Sequence, residues 1–382
     1  MARASALAAE TELLPEPDKL DGFSSPRHTE RLYGQTVAEQ GFLDAFNSGR
    51  LHHAWIVTGP PGIGKATLAY RIARFLFAGD SERDMFGGSL DIDPATTAAR
   101  LVANLAHPEL LVLRRPYDFK TKKLKSEITV DEVRRLKGFL GMGAGEGWRV
   151  VIVDPVDELN ANAANALLKS LEEPPKRTVF LLISSAPDRL LPTIRSRCRT
   201  LACTPLSDDA LRKAVAQALN AADDAGAEAA LPAGEEWQTL ARLSEGSVRR
   251  FLLLHTAKGL DLHRKIAGAV ALLPRIDWLP IHTLGDELAS NAAEAKYELF
   301  FELLLGLLAR LIRAAATGEG DPAEVKLATR LMPEDQLAAW AQLWETTVAE
   351  KASTEIYNLD RKSLILLTFQ RLVQTSRGAA PA

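Results

Sequence analysis

A glycine-rich loop constrains the fold of this chain more than any other feature. Residues 59–65 read GPPGIGK; the apolar run AWIVT precedes them and the helical pattern ATLAYRIARFLF follows them. This is the pattern G-x-x-x-x-G-K between a strand and a helix. In that setting backbone N–H groups converge on phosphate oxygens, and the helix N-terminus and the lysine add positive charge. The sequence therefore predicts a phosphate-binding P-loop formed by Gly59, Gly62, Gly64 and Lys65. The alternative is a turn that is glycine-rich only for tight packing.

Four apolar runs, AWIVT, ELLVL, RVVIV and TVFLLIS, alternate with helical patterns in the first half of the chain. Such alternation predicts βαβ units and a parallel sheet, and runs that are apolar on both faces fit a sheet covered on both sides. After about residue 206 no strand is expected, because the apolar spacing becomes helical. The predicted class is α/β, with a P-loop parallel-sheet domain, a small helical domain and an all-α C-terminal domain.

The predicted divisions are a flexible N-terminal segment over 1–25, the P-loop domain over 26–206, the small helical domain over 207–262 and the C-terminal helical domain over 263–382. The first segment is rich in Pro, Glu, Asp and Ser and shows no periodicity, which is typical of a mobile lead-in. Ser207 is a predicted N-cap of the small domain's first helix, since acidic residues follow it.

Composition limits the classes of function. The 382 residues carry a formal net charge of -3, which argues against a strong, general grip on nucleic acid but permits a local basic patch. The two cysteines, Cys198 and Cys203, form no CxxC pair, so a reducing cytoplasm is expected. The longest apolar run, LFFELLLGLLARLIR, is interrupted by Glu302 and Arg310; it predicts a core helix and no membrane span.

The loop lacks two groups on which ATP hydrolysis depends. A Ser or Thr after the P-loop lysine ligates Mg²⁺, and here the residue is Ala66. Thr67 lies about 100° further around the helix, so its hydroxyl is expected to point elsewhere. RVVIVD supplies Asp154 for the metal, but Pro155 follows, where an acid would position water. Both absences together predict a site that does not hydrolyse ATP.

The nearby acids and the loop itself leave two further expectations. Asp157 and Glu158 follow the strand and are expected to supply negative charge at the start of a helix. Lys65 and the loop backbone remain, so weak or Mg²⁺-poor binding of ATP or ADP stays open.

Two later segments, NAANALLKSLEEPP and ISSAPDRLLPTIRSRC, resemble the clamp-loader branch of the AAA+ proteins. Further motifs fit that family over nearly the whole chain: LYGQ resembles the segment bordering the adenine pocket, and NLDRKSLILLTF resembles the C-terminal collar. The matching site positions are the SRC motif Ser196, Arg197 and Cys198, the sensor-1 position Ser185 and the sensor-2 position Arg249. The resemblance implies a RecA-like AAA+ module, a small helical lid and a collar.

The resemblance also implies partners. The chain would be a stator in a pentameric DNA polymerase III clamp loader with delta and gamma/tau subunits, which opens the sliding clamp and places it on primed DNA. The degenerate loop separates it from the ATP-hydrolysing gamma/tau type. Two other readings stay open: an active ATPase of that type, and an AAA+ module of another DNA transaction such as helicase loading.

For Arg197 the resemblance implies an arginine finger, which reaches the γ-phosphate of ATP held by a neighbouring subunit and stabilises the charge that develops there. From the residues alone, the alternative is an arginine that caps carbonyls at a helix end, or that pairs with Asp188 or an acidic surface. The flanking Arg195 and Arg199 could touch DNA phosphates or form a solvated surface. Cys198 is expected to pack as a small apolar side chain.

Metal ligands are scarce. Many relatives carry a four-cysteine zinc module between the P-loop and the strand that ends at Asp154, and this chain has no cysteine there. His107 stands alone in AHPE, and a structural zinc site needs four donors. No structural zinc is predicted. A lysine-rich run, DFKTKKLKSE, is interpreted as a mobile loop.

Overall fold

The computed structural model describes residues 16–84, 87–120, 123–141, 147–222, 230–256, 259–290, 293–357 and 359–378. The chain divides into two compact units, one ending at Leu252 and the other beginning at Leu253. The predicted P-loop and small helical domains thus fall almost wholly within the first unit. The predicted division between those two domains stays a prediction.

The first unit is built on a sheet of five parallel strands. In chain order the strands are β1 (Ala54–Thr58), β2 (Leu110–Leu113), β3 (Tyr117–Asp118), β4 (Lys123–Leu124), β5 (Arg149–Val153), β6 (Thr178–Ser184) and β7 (Arg199–Ala202). β3 and β4 form a separate antiparallel pair outside the five-stranded sheet. The order across the sheet is β2-β5-β6-β1-β7. The four predicted strands are confirmed. β7 and the β3–β4 hairpin were not predicted, although the α/β P-loop class is correct.

Helices surround this sheet. In chain order they are α1 (Thr36–Asn47), α2 (Lys65–Phe77), α3 (Thr97–Ala103), α4 (Val130–Gly141), α5 (Ala161–Glu172), α6 (Pro192–Arg195), α7 (Asp208–Asn220), α8 (Gly234–Ser244) and α9 (Val248–Thr256), the last of which crosses the boundary between the units. β5 and β6 are buried along their whole length, as a sheet covered on both faces requires. Ser207 caps α7 by accepting a hydrogen bond from the Ala210 N–H, as predicted.

The N-terminal segment differs from the mobile lead-in that its composition predicts. Residues 1–15 lie outside the described part of the chain, but residues 16–25 pack against the first unit. Phe23 and Ser25 are only 3% and 2% exposed, and Glu16 pairs with Arg27 and Arg114. The buried aromatic ring and the ion pairs outweigh the disorder expected from a polar composition.

The second unit is helical in all its described elements, as predicted. It contains α10 (Gly259–Ala271), α11 (Trp278–Ala289), α12 (Glu294–Thr317), α13 (Pro322–Leu331), α14 (Leu337–Tyr357) and α15 (Arg361–Ser376). The apolar run interrupted by Glu302 and Arg310 is the buried helix α12, with Phe300, Leu304 and Leu311 fully enclosed. No helix in the described ranges is both long and apolar enough to cross a membrane.

Candidate functional site

The P-loop leaves the carboxyl end of β1 and enters α2, so it lies at the sheet edge where ligands of parallel α/β sheets bind. Gly59 has φ +136°, and a Cβ there would lie 2.5 Å from the carbonyl oxygen of Cys203. Gly62 has φ +76°, and its Cβ would lie 2.4 Å from Ser247 Oγ. Glycine is therefore required at both positions by conformation and by space.

Lys65 turns its ammonium back onto its own loop. Lys65 Nζ donates to the carbonyl oxygens of Gly59 at 2.7 Å and Pro60 at 2.6 Å, and to Ser185 Oγ at 3.0 Å. These contacts use all three N–H donors of the ammonium group. Burial lowers the pKa of Lys65, and the carboxyl group of Asp154 partly opposes that shift.

Asp154 directly follows β5 and lies partly buried near this lysine. Its backbone N–H donates to the Leu113 carbonyl at 2.9 Å, which continues the β2–β5 pairing. Burial raises the pKa of Asp154 to about 7; the neighbouring carboxyl of Asp18 adds to the rise and Lys65 opposes it. A carboxyl group with this pKa is only partly ionised near neutral pH, which weakens it as a metal ligand.

Asp157 has a role that the sequence did not reveal. Its carboxylate accepts hydrogen bonds from Ser184 Oγ and the Ser185 N–H, both at 2.6 Å, and from the Ala186 N–H at 3.3 Å. It thereby holds the end of β6 and orients Ser185 toward Lys65. The expectation that Asp157 serves only as charge at a helix start was incomplete, although it lies in a 3-10 turn, Val156–Glu158.

A cleft of about 970 Å³ collects most of the predicted nucleotide-binding positions. It is bordered by Gly62, Gly64, Lys65, Thr67, Asp154, Ser185 and Arg249. Ala66 and Pro155 also border it, so the two positions without a catalytic group face the same space. The direction of the Thr67 hydroxyl remains a prediction.

Gln35, the last residue of LYGQ, joins the P-loop to the segment that follows β7, the strand next to β1 in the sheet. The side chain is 2% exposed, and its Nε2 donates to the carbonyl oxygens of Ile63 at 3.0 Å and Thr204 at 2.8 Å. Its Oε1 accepts from the Thr204 N–H at 3.0 Å. The only sequence signal for Gln35 was its place in the LYGQ segment, which does not reveal this distant partner.

The start of α9 contacts the P-loop directly. Ser247 Oγ donates to the Pro61 carbonyl at 2.9 Å, and the Val248 N–H donates to the Gly62 carbonyl at 3.0 Å. Arg249 follows and borders the cleft. Loop and helix are therefore fixed to each other by main-chain groups.

The SRC residues lie apart from this cleft, in the turn between α6 and β7; none of them borders it. Arg197 Nη2 pairs with Glu172 Oε1 at 2.8 Å, Arg197 Nη1 donates to the Thr193 carbonyl at 2.9 Å, and the side chain is 36% exposed. Both features of the alternative interpretation are present, a capped carbonyl and an acidic partner, but the partner is Glu172. Asp188 instead binds Arg195 at 3.3 Å.

Cys198 packs as predicted, against the apolar cluster under the sheet, and burial raises the pKa of its thiol to about 12. His107 stacks on Phe77 with ring centroids 3.7 Å apart. Within the described ranges no group of three or more His, Cys, Asp or Glu side chains could hold a metal ion. The absence of structural zinc remains a prediction. In the lysine-rich run, Asp118, Lys123 and Leu124 belong to the β3–β4 hairpin, so for these residues the mobile-loop interpretation was wrong. Residues 121–122 and the side chain of Lys123 lie outside the described part of the chain.

Comparisons with known proteins show which proteins parts of this chain are similar to. Residues 34–207, slightly less than half of the chain, match the family model described as DNA polymerase III, delta subunit. The chain is 44% identical over 152 residues to the DNA polymerase III subunit delta-prime of Pseudomonas aeruginosa, covering 40% of this chain and 43% of that protein. It is 33% identical over 210 residues to the delta-prime subunit of Escherichia coli, covering 51% and 58%.

Over these regions the chain is similar in sequence to DNA polymerase III delta-prime subunits. It spans about half the length of these curated relatives in the matched regions. It is also 28% identical over 279 residues to the tau subunit of Escherichia coli, covering 72% of this chain and 39% of tau. The delta-prime relatives are thus more similar in sequence, and tau is matched over more of the chain.

Proposed function

We propose that this chain is a non-hydrolysing stator subunit of a DNA polymerase III clamp loader. The observation that carries the proposal is the division of catalytic groups: the P-loop cleft has Ala66 and Pro155 where it needs a hydroxyl and an acid, while a separate turn presents Arg197. A chain built this way serves a neighbour's ATP better than its own.

The internal bonding of the loop supports this role. The Lys65 ammonium is satisfied by two loop carbonyls and Ser185, so a phosphate would have to displace bonds that already exist. Weak binding of ATP or ADP, without ordered Mg²⁺, is the most that we propose for this cleft.

Arg197 is proposed as an arginine finger for ATP bound by an adjacent gamma/tau subunit, with Ser196 and Cys198 shaping the turn. Its planar guanidinium group can donate two parallel hydrogen bonds to phosphoryl oxygens. The partners proposed are delta and gamma/tau subunits in a pentamer, and through the complex the sliding clamp and primer-template DNA, in the cytoplasm.

The direct test is the ATPase rate of a complex reconstituted from this chain with delta and gamma/tau subunits. Arg197→Ala should remove the share of DNA-stimulated turnover that comes from the one ATP site it serves, since an arginine finger contributes several orders of magnitude at its own site and the other sites keep their rates. Arg134→Ala, an exposed arginine of α4 that pairs with Asp131, is the control and should keep the wild-type rate. An unchanged rate in Arg197→Ala would refute the arginine-finger role of Arg197.

The competing function is an ATP-hydrolysing motor of the gamma/tau type, which the similarity to tau over 72% of the chain favours. An ATPase assay on this chain alone distinguishes the two. Turnover that disappears in Lys65→Ala would establish the motor and refute the stator.

A further inference from the structure

The ion pair between Arg197 and Glu172 joins two elements that are each fixed in the same apolar cluster. Leu171, the neighbour of Glu172, is 1% exposed in this cluster, and so is Ile194, three residues before Arg197. α5 ends at Glu172, with Pro174 and Pro175 following, so the carboxylate stands at a helix end that cannot continue. Both partners are therefore carried by rigid structure.

The end of α5 has an additional support. His53 Nε2 binds the carbonyl oxygen of Leu171 at 3.0 Å, and the His53 ring stacks on His52 with centroids 4.4 Å apart. A histidine at a helix C-terminus satisfies a carbonyl that has no partner within the helix. The position of Glu172 is thus fixed by its place in α5 and also by His53, the residue just before β1.

The guanidinium group of Arg197 is held from two directions. Thr193 supplies a carbonyl to Nη1 from the same turn, at 2.9 Å, and Glu172 supplies a carboxylate to Nη2 from another helix, at 2.8 Å. The Thr193 contact alone would let the side chain rotate about that bond. The second contact restricts the rotation while the side chain remains 36% exposed, with donors left for a ligand.

We infer that Glu172 is a positioning residue for Arg197, which fixes the guanidinium group in advance so that less conformational freedom is lost when it meets a neighbour's phosphate. This rests on the proposed finger role of Arg197. Glu172 itself touches no nucleotide; it acts through the arginine. A long side chain held in one geometry loses less entropy on binding, and this gain appears in the rate.

The test is the steady-state ATPase of the reconstituted complex at varied ATP. Glu172→Ala should lower kcat by a part of the loss seen in Arg197→Ala and leave KM for ATP and complex assembly unchanged, since an exposed ion pair has a modest effect. Glu172→Gln retains an acceptor oxygen and should recover most of the rate. Glu173→Ala removes the same charge one residue further on and is the matched control, with wild-type kcat expected.

A double-mutant comparison separates this inference from the proposal beneath it. In an Arg197→Ala background, Glu172→Ala should have no further effect, because its action passes through the arginine. If Arg197→Ala slows the complex while Glu172→Ala leaves the rate unchanged or raises it, the positioning role of Glu172 is wrong and the finger role of Arg197 is retained. Equal slowing by Glu172→Ala in both backgrounds would mean a general defect and also refute it. If Arg197→Ala itself has no effect on the rate, the proposed arginine-finger role is refuted, and the positioning role of Glu172 is refuted with it.

Discussion

The ammonium group of Lys65 lies 3.0 Å from Ser185 Oγ, so a residue of the P-loop and a residue after β6 are joined without any ligand between them. In turn, the Asp157 carboxylate accepts a hydrogen bond from the backbone N–H of Ser185 and so fixes that residue. These side chains and main-chain groups form a hydrogen-bond network at the cleft, and four predictions follow from this network and from the contacts around it.

Ala66→Ser should give ATP binding a dependence on Mg²⁺. The new hydroxyl would supply the metal ligand that the loop lacks, so affinity should rise several-fold with Mg²⁺ and stay unchanged in EDTA. Titration with a fluorescent ATP analogue measures this. Thr67→Ala is the control and should not alter the effect of Mg²⁺; a wild-type chain whose affinity already rises with Mg²⁺ would contradict the prediction.

Gln35→Ala should destabilise the first unit. It removes three hydrogen bonds from a residue that is 2% exposed and leaves the carbonyl of buried Ile63 and the carbonyl of Thr204 without that donor. We expect a loss of about 2–4 kcal/mol in the free energy of unfolding, from chemical denaturation. Gln40→Ala, which removes a single exposed bond to Asp44, should change it little. A loss below about 1 kcal/mol in Gln35→Ala would show that water replaces these bonds.

Gly62→Ala should separate the loop from α9. A Cβ would lie 2.4 Å from Ser247 Oγ and 2.6 Å from Arg249 Cβ, in addition to the strain of φ +76°. Gly49 has a similar φ of +67°, and a Cβ added there would meet nothing within 4 Å. Gly49→Ala therefore measures the backbone strain alone. We expect Gly62→Ala to lower the free energy of unfolding by about 1–3 kcal/mol more than Gly49→Ala does. Equal losses in the two variants would mean that α9 adjusts freely.

Asp154→Asn should be stabilising in a pH-dependent way. Since burial raises the pKa of Asp154 to about 7, the native state binds a proton that the unfolded chain releases, so stability falls as pH rises from about 4 to about 7. Asparagine removes this dependence. The stability of the variant relative to wild type should therefore rise by about 2–3 kcal/mol between pH 5 and pH 8, in parallel denaturation curves. Asp188→Asn, at a side chain 98% exposed, serves as the control and should show no such trend. A stability difference between Asp154→Asn and wild type that does not change with pH would contradict the raised pKa of Asp154.

The strands that were predicted correctly are the ones that are apolar throughout, because a strand covered on both faces leaves a continuous apolar run in the sequence. β7 escaped prediction because only Leu201 of its four residues is buried, so Arg199 and Thr200 leave no such run. The packed residues 16–25 were missed for a related reason: their burial depends on Phe23 and on arginines far along the chain.

At the candidate site, local patterns identified the members, and distant partners stayed hidden. The glycines, Lys65 and Asp154 follow from spacing, since the loop and the strand end are short, continuous motifs. The partnership of Gln35 with Thr204, 169 residues away, and that of Glu172 with Arg197 depend on how helices pack against the sheet. No periodicity in one segment encodes such a contact.

The bonds from Ser247 and Val248 to the P-loop carbonyls have a mechanical consequence. In a nucleotide-driven machine, the angle between a sheet and the helices above its phosphate loop usually changes as ligand enters and leaves. Here a side-chain hydroxyl and a main-chain N–H of the same chain bind the loop, so a change in that angle would have to stretch or break these two hydrogen bonds. The two bonds therefore add mechanical resistance to any hinge motion between the P-loop and the start of α9.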